Sequence, residues 1–311
     1  MASPSPIAQL PIAADLTARI GHTPLIAIED LDGVPDTVTV LGKAEWLNPG
    51  GSVKDRAAWA IVQAAEAAGA LAGGRRLLDA TSGNTGIAYA WIGAARGIPV
   101  TLCVPANANA ERQRLIAALG AELVLTDAMD GTDGAIREAR RLAAAHPERY
   151  FHADQYANPA NWRAHYATTA EEIWAETEGR ITHLVAGIGT SGTLVGTSRR
   201  LREREPSIET IAVQPDSPFH ALEGLKHLPS AIVPPIYDPS AHQRVLEVAS
   251  DEAIAMVKRQ ARRGLLLGWS AGAALVAAER AARTLAGGVM VVILPDGAER
   301  YLSEPLWTED A

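Results

Sequence analysis

Alternating strand-like and helix-like segments predict an α/β protein with mostly parallel sheets and helices on both faces. Three observations carry that expectation. From about residue 40 to the end, short apolar runs alternate with segments of helical spacing. Three of the helical segments stop at a glycine, a strong C-terminal signal. Three polar, glycine-rich loops each follow a strand and open a helix, the place where open α/β sheets bind ligands.

Asp55–Ala68 carries Ala58, Ile61, Val62 and Ala65 on one helical face and ends at Gly69. Arg76–Ala80 is a short strand, followed by a helix from Asn84 to Arg96 that Gly97 ends. Pro99–Val104 reads as a buried strand and Glu111–Leu119 as a helix ended by Gly120. Glu122–Thr126 is the next strand and Gly134–Ala145 the next helix. A lobe boundary falls near Gln155–Pro159. Beyond it, Pro159–Trp174, Thr193–Arg204, Asp251–Arg263 and Ser270–Arg283 read as helices. His183–Ala186, Thr210–Gln214 and Val289–Leu294 read as strands. Pro215–Pro239 is rich in proline and too long for a plain connection, which points to function.

The chain has 311 residues, with 28 Lys+Arg against 36 Asp+Glu and a formal net charge of −8. With 48% hydrophobic and 21% charged residues, it is not intrinsically disordered. The length suits about two domains or one two-lobed unit. The acidic balance argues against nucleic acid or an anionic membrane as main partner. The single cysteine, Cys103, excludes an intramolecular disulfide and reads as a small buried hydrophobe. The eight histidines show no metal-ligand spacing, so no metal is expected. The longest apolar stretch, Val289–Leu294, is far shorter than a membrane helix. The first sixteen residues, MASPSPIAQLPIAADL, lack the basic start of a signal peptide, and Pro4, Pro6 and Pro11 suggest an extended arm. A reduced, soluble, cytoplasmic protein is expected.

The first loop, NPGGSVKDR, places Lys54 at the mouth of a helix. The helix dipole disfavours an ammonium there and favours a neutral or covalently engaged amine. A solvated surface lysine fits the same spacing. The second loop, Thr81-Ser82-Gly83-Asn84-Thr85-Gly86, offers hydroxyls and backbone N–H groups at a helix N-terminus, as a carboxylate or phosphate site would. An elaborate N-cap is the plain alternative. The third, Gly187-Ile188-Gly189-Thr190-Ser191-Gly192-Thr193, matches G-x-G-x-x-G, with Asp216 beyond it as a dinucleotide site requires. Its three hydroxyls suit a terminal phosphate better than a bridging pyrophosphate. Gln155 could bind a carboxylate or cap a turn, and Ser270 reads on its own as an N-cap. Lys226 and His227, in the proline-rich stretch, read as solvated.

Taken together, these segments resemble the cysteine synthase family of fold-type II pyridoxal-phosphate enzymes. Gly21-His22-Thr23-Pro24-Leu25 is similar to that family's G-N-T-P-L entry, NPGGSVKDR to its cofactor-lysine motif and TSGNTG to its substrate-carboxylate loop. GTSGT resembles the phosphate loop, QYANPAN the Q-[FY]-x-N-P-A-N segment and ILPDGAERYLS the C-terminal segment. The resemblance spans about residues 18–303.

It implies a two-lobed, tryptophan-synthase-β-like fold. The smaller, mobile lobe would be residues 47–156, and the larger residues 1–46 with 157–311. It also implies that Lys54 carries pyridoxal 5′-phosphate and acts as general base. Asn84 would bond the cofactor's 3′ oxygen, Gly189, Thr190, Ser191, Gly192 and Thr193 its phosphate, and Ser270 its pyridine nitrogen. Thr81, Ser82, Thr85 and Gln155 would bind the amino acid's α-carboxylate. The implied reaction is β-replacement, giving L-cysteine from O-acetylserine or O-phosphoserine with sulfide or a sulfur-carrier protein as donor. The implied assembly is a homodimer. Residues 215–239 resemble the O-phosphoserine branch, which places Lys226 where a cation would read the substrate phosphate. His22 and the segment Ala106–Ala110 depart from the family pattern. The alternatives are condensation of serine with homocysteine, as in cystathionine β-synthase, and a nicotinamide-dependent oxidoreductase built on Gly187–Gly192.

Overall fold

The computed structural model describes residues 15–304 and residue 307. The proline-bearing arm expected at Pro4, Pro6 and Pro11 lies outside the described residues. The chain builds two sheets. The larger has six strands in the order β1 (Leu25–Ala27), β2 (Val38–Ala44), β10 (Gly288–Leu294), β7 (Ile181–Gly187), β8 (Glu209–Pro215) and β9 (Arg244–Val248). All its pairings are parallel except that of β1 with β2. The smaller sheet is wholly parallel, in the order β5 (Glu122–Thr126), β4 (Val100–Pro105), β3 (Arg76–Ala80) and β6 (Tyr150–His152).

The helices cover both faces of the strands, and this is why the central strands read as unbroken apolar runs. In β10, Met290, Val292 and Leu294 pack into the cluster made with α8 (Ser250–Ala261) and α9 (Trp269–Ala282), whereas Val291 and Ile293 face the opposite cluster. That second cluster takes Ile173 from α6 (Thr169–Glu176) and Leu194 and Leu201 from α7 (Gly192–Arg204). In the smaller sheet, Val100, Leu102 and Val104 of β4 meet Ile87 and Ile92 of α2 (Asn84–Arg96). Cys103 faces the other way, towards Ile136 and Ala139 of α4 (Gly131–Ala145). Burial pushes its thiol up to about 12, so it is the inert hydrophobe its sequence context suggested. Among the described residues no helix is long and apolar enough to cross a membrane.

The expected alternation holds, with four additions and one split. β1, β2, β6 and β9 were not resolved by periodicity; β1 and β6 span three residues each, and β9 is a largely exposed edge. Pro159–Trp174 is two helices, α5 (Pro159–Ala167) and α6, broken at Thr168. There the backbone leaves helical geometry (φ −125, ψ −68) and the hydroxyl donates back to the Ala164 carbonyl at 2.7 Å. The same hydroxyl accepts from Arg56 at 3.0 Å, so a tertiary contact holds the break.

Helix α1 (Lys54–Ala67) packs against both α2 and α5, and so touches both sheets' helical layers. Beneath its first turn lies a buried ionic cluster. The Arg56 guanidinium donates to Glu45 at 2.7 and 2.8 Å, to Glu172 at 2.7 Å through two nitrogens, and to Thr23 at 3.0 Å. Lys43 pairs with Glu172 at 2.8 Å and Glu176 at 2.7 Å. The Gly21 and His22 amides donate to Asn48 and Glu172, which ties the Gly-His-Thr-Pro-Leu entry into the same cluster. His22 itself has a left-handed backbone (φ 52) and an exposed side chain. Asn tolerates that geometry most readily, and His also visits it, so the departure at His22 is a backbone matter away from the cleft.

Candidate active site

The three polar loops converge where the carboxyl ends of the two sheets face each other. Lys54 lies where two chambers meet. The first is lined by Thr81, Ser82, Asn84, Thr85, Gln155 and Lys226. The second is lined by Ser191, Thr193 and Ser270, and both share Lys54, Asn84, Gly189 and Thr190. Of the cofactor- and substrate-binding residues that the family resemblance implied, Gly192 alone lines neither; it is the first, buried residue of α7.

Lys54 is the first residue of α1; the N-cap Val53 offers no side-chain cap, and Ser52 Oγ accepts from the Lys54 amide at 3.3 Å. The Val53 amide donates to the Pro295 carbonyl at 2.8 Å, and Ser52 bridges to Asp296. The segment after β10 therefore holds the start of α1 in place. Desolvation pushes the Lys54 ammonium below its ordinary range, against the pull of the Asp296 and Glu45 carboxylates. The lysine is half-buried rather than the solvated surface residue its spacing also allowed.

In the second loop, the Thr81 hydroxyl accepts from the Gly83 and Gly86 amides, each at 3.0 Å. Thr85 donates to Gln155 Oε1 at 2.7 Å, and Gln155 Nε2 donates to the Ala80 carbonyl at 2.7 Å. Thr81, Thr85 and Gln155 thus shape the loop as well as line it. Asn84 is fixed from both ends: its Nδ2 donates to Asp296 at 2.6 Å, and its Oδ1 accepts from Arg300 at 2.7 Å. Tyr301 donates to the same Asp296 oxygen at 2.6 Å.

The third loop turns into α7 at Ser191, whose backbone is left-handed (φ 69). The Ser191 hydroxyl is buried and has no hydrogen-bond partner among the described residues. Gly189 has no room for a side chain, because a Cβ would stand 2.1 Å from the Gly224 carbonyl oxygen. Thr190 accepts from Asn161 at 3.0 Å, and Thr193 contacts His165 Nε2 at 3.2 Å. Burial, with Arg56 adding to it, pushes His165 down to about 3, so its imidazole is neutral. Ser270 sits inside the first turn of α9, after the N-cap Gly268, and is not the N-cap that its context suggested. Asp216 is exposed and lines neither chamber, which removes the ribose-binding acid a dinucleotide site would need.

The proline-rich stretch forms one wall of the cleft. Its Lys226 amide donates to Ile188 at 2.7 Å, and Glu223, Gly224 and Leu225 line both chambers. Lys226 is buried, not solvated: its ammonium pairs with Asp133 at 3.0 Å and lies over the Tyr156 ring. His227 is half-buried, its Nδ1 on Ser230 at 2.7 Å, and lines the groove next to the first chamber. The Ala106–Ala110 departure leads into α3 (Ala110–Ala118), whose N-cap Asn109 accepts from Glu111 at 2.8 Å.

Asp296, Arg300 and Tyr301 were legible only as part of a matching C-terminal segment; Glu223 lay unremarked within the proline-rich stretch, and Arg112 just past the departing segment Ala106–Ala110.

Comparison with known proteins agrees with this geometry. The family model described as pyridoxal-phosphate dependent enzyme matches residues 16–296. A cysteine synthase from Aquifex aeolicus is 47% identical over 297 residues, covering 93% of this chain and 91% of that protein. Cysteine synthase B from Pseudomonas aeruginosa is 40% identical over 300 residues, covering 96% and 98%. The solved structure of a cysteine synthase from Entamoeba histolytica superposes with a TM-score of 0.91 at 33% identity, covering 100% of this chain and 95% of that one.

Proposed function

The chain belongs to the cysteine synthase family of pyridoxal-phosphate-dependent enzymes, and from that premise we propose that it forms L-cysteine by β-replacement on an activated serine. The observation that carries this reading is the place of Lys54, between a chamber suited to an amino acid and one suited to a phosphate. The residues present fit the cofactor. A buried, unpartnered Ser191 hydroxyl at a helix N-terminus, in a loop too tight for a side chain at Gly189, is what a phosphate dianion requires. Gly189, Thr190, Ser191, Gly192 and Thr193 would hold that phosphate, Ser270 the pyridine nitrogen, and Asn84 the 3′ oxygen. Asn84 commits one end of its amide to Asp296 and the other to Arg300, so the orientation of its remaining N–H is set beforehand.

The cofactor, when bound, supplies an electron sink for the carbon skeleton of the amino acid. The rest is done by this chain. The N–H groups of the loop 81–85 and the Ser82 hydroxyl bind the α-carboxylate, in a loop that Thr81, Thr85 and Gln155 hold in shape. The Lys54 amine removes the Cα proton and later returns it, and its depressed affinity for a proton at this buried place suits both tasks. Ser270 would hold the pyridine nitrogen with a neutral hydroxyl, an arrangement that would favour expulsion of a β-substituent over a long-lived carbanion. Residues 47–156 serve as the smaller lobe against residues 1–46 with 157–311, and the working assembly is a homodimer, checked by light scattering.

O-acetylserine with sulfide is the reactant pair we favour. Lys226 could read the phosphate of O-phosphoserine, but Asp133 already neutralises it at 3.0 Å. The first test is the visible spectrum of the purified protein. A coloured protein whose band shifts with O-acetylserine and returns with sulfide, releasing cysteine, supports the reading. Lys54→Ala should lose turnover at least a thousandfold, roughly the combined size of its covalent and proton-transfer roles. A coloured protein indifferent to both esters would sink the assignment and point to serine with homocysteine.

A further inference from the structure

We propose that Arg112 is a specificity-determining residue that binds a second substrate anion, a phosphate or carboxylate beyond the α-carboxylate, and that Glu223 is the internal carboxylate this anion displaces. The inference rests on the cysteine synthase reading and deepens it.

Arg112 lies on α3 and lines the same chamber as Lys54. It is only 4% exposed, yet its Nε and Nη2 have no hydrogen-bond partner among the described residues. Buried charged donors are rarely left unmade in a native protein without a role for them. The guanidinium carbon lies over the Tyr301 ring, 4.7 Å from its centroid, and Tyr301 is in turn held by Asp296. At Gly83 a Cβ would come within 3.1 Å of Nη1, so the loop that takes the α-carboxylate runs directly alongside the guanidinium. A fork of N–H donors backed by an aromatic ring matches the geometry of a phosphate or carboxylate.

Its ionic partner supports a displaceable role. Nη1 pairs with Glu223, which stands on the proline-rich wall with its side chain 39% exposed. The Glu223 oxygen that faces Arg112 is buried, but the rest of the side chain reaches solvent, so the carboxylate has a path to water when another anion takes its place. It nevertheless excludes a second anion while it stays. The loop 81–85 already provides for the α-carboxylate, so the charge that Arg112 reads belongs to another part of the reactants. Two sources share that chemistry: a phosphate on the leaving group, or a carboxylate on the thiol.

The test uses holoenzyme of wild type, Glu223→Gln and Arg112→Gln. One arm compares O-phosphoserine with O-acetylserine, both with sulfide. The other compares mercaptoacetate with 2-mercaptoethanol, both with O-acetylserine. Glu223→Gln should raise the anionic-over-neutral ratio of kcat/KM about tenfold in one arm, the size of one charge-assisted contact, and Arg112→Gln should abolish the preference. The arm that moves names the source. A ratio within twofold of wild type in both arms for Glu223→Gln overturns the proposal. Titration calorimetry with inorganic phosphate on the same holoenzymes gives a readout independent of turnover. Glu223→Gln should bind phosphate about tenfold more tightly than wild type and Arg112→Gln should not. Equal phosphate affinity in wild type and Glu223→Gln overturns the anion site even if the enzyme makes cysteine. Tighter binding without any cysteine formation upholds the site and overturns the cysteine synthase reading instead.

Discussion

Arg56 and Arg112 are buried to almost the same degree, 3% and 4% exposed, yet their surroundings are opposite. All three guanidinium nitrogens of Arg56 are engaged, by Glu45, Glu172, Thr23 and Thr168. Among the described residues Arg112 has one carboxylate partner, and two of its nitrogens have none. Glu45 is fully buried, whereas Glu223 has a side chain 39% exposed. Burial alone would push Glu45 up, but the Arg56 charge and hydrogen bonds overcome it and hold the carboxyl below its usual range. Glu172 is held down to about 2 by the same guanidinium and by Lys43, again against desolvation. A closed ionic cluster of this kind fixes structure: it sets where α1 begins, and so where Lys54 stands. An open one leaves donors for a ligand. Burial without satisfaction separates the second kind from the first.

The most severe way to break the comparison is Arg56→Met. It strands Glu45 in the interior, leaves Glu172 its ion pair with Lys43, and should cost about 3–5 kcal/mol, read as a lower urea midpoint. A loss below about 1 kcal/mol would mean that the cluster is not the anchor described here.

A second prediction sharpens the contrast through pH. His165 packs beneath the cluster and is neutral, with a folded pKa of about 3 against 6.5 for the free side chain. The unfolded chain binds this proton below pH 6.5 and the folded one does not until about pH 3, so its contribution to stability is lost as pH falls through that window. Asp79 and Asp55 act in the opposite sense, since burial raises them to about 7 and about 6. Their stability contribution grows as pH falls below those values. The informative quantity is therefore the difference between wild type and His165→Gln. Relative to the variant, wild type should lose up to about 1.4 kcal/mol per unit between pH 6.5 and 5. A flat difference would remove His165 as its source.

A double-mutant cycle on Arg112→Met and Glu223→Gln should give a coupling of about 1 kcal/mol or less, because Glu223 is open to solvent. A coupling near that expected for the Arg56 cluster would erase the distinction between the two arginines. The smallest effect belongs to Lys226 and Asp133, whose carboxylate is partly exposed; Asp133→Asn should change stability by about 0.5 kcal/mol. Thermal melts are sufficient to detect it.

Much of the site was readable because local chemistry writes itself locally. Lys54 before a helix, Ser82–Thr85 at the mouth of α2 and Gly189–Thr193 at the mouth of α7 are short motifs whose meaning depends on a strand, a turn and a helix in succession. The burial of β4 was readable from its unbroken apolar run. Thr168 was not, because its break of a continuous helical pattern is held by Arg56, more than a hundred residues away in sequence. Lys226 was misread as solvated on composition, since nothing near it announces Asp133. Ser270 resembled a cap because a serine just inside a helix and a serine at its N-cap look alike in sequence.

The sequence by itself determined the α/β alternation, the three anion-suited loops and the lysine between them, all set by spacing of a few residues. Only the tertiary structure decided that Asp296 and Arg300 orient Asn84 from opposite ends, that Arg56 closes a cluster under α1, and that Arg112 stands half-satisfied in the cleft. The physical reason is that satisfaction of a buried charge is a property of everything that surrounds it. Those surroundings are assembled from segments as far apart as Gly50 and Arg300, which no local pattern joins.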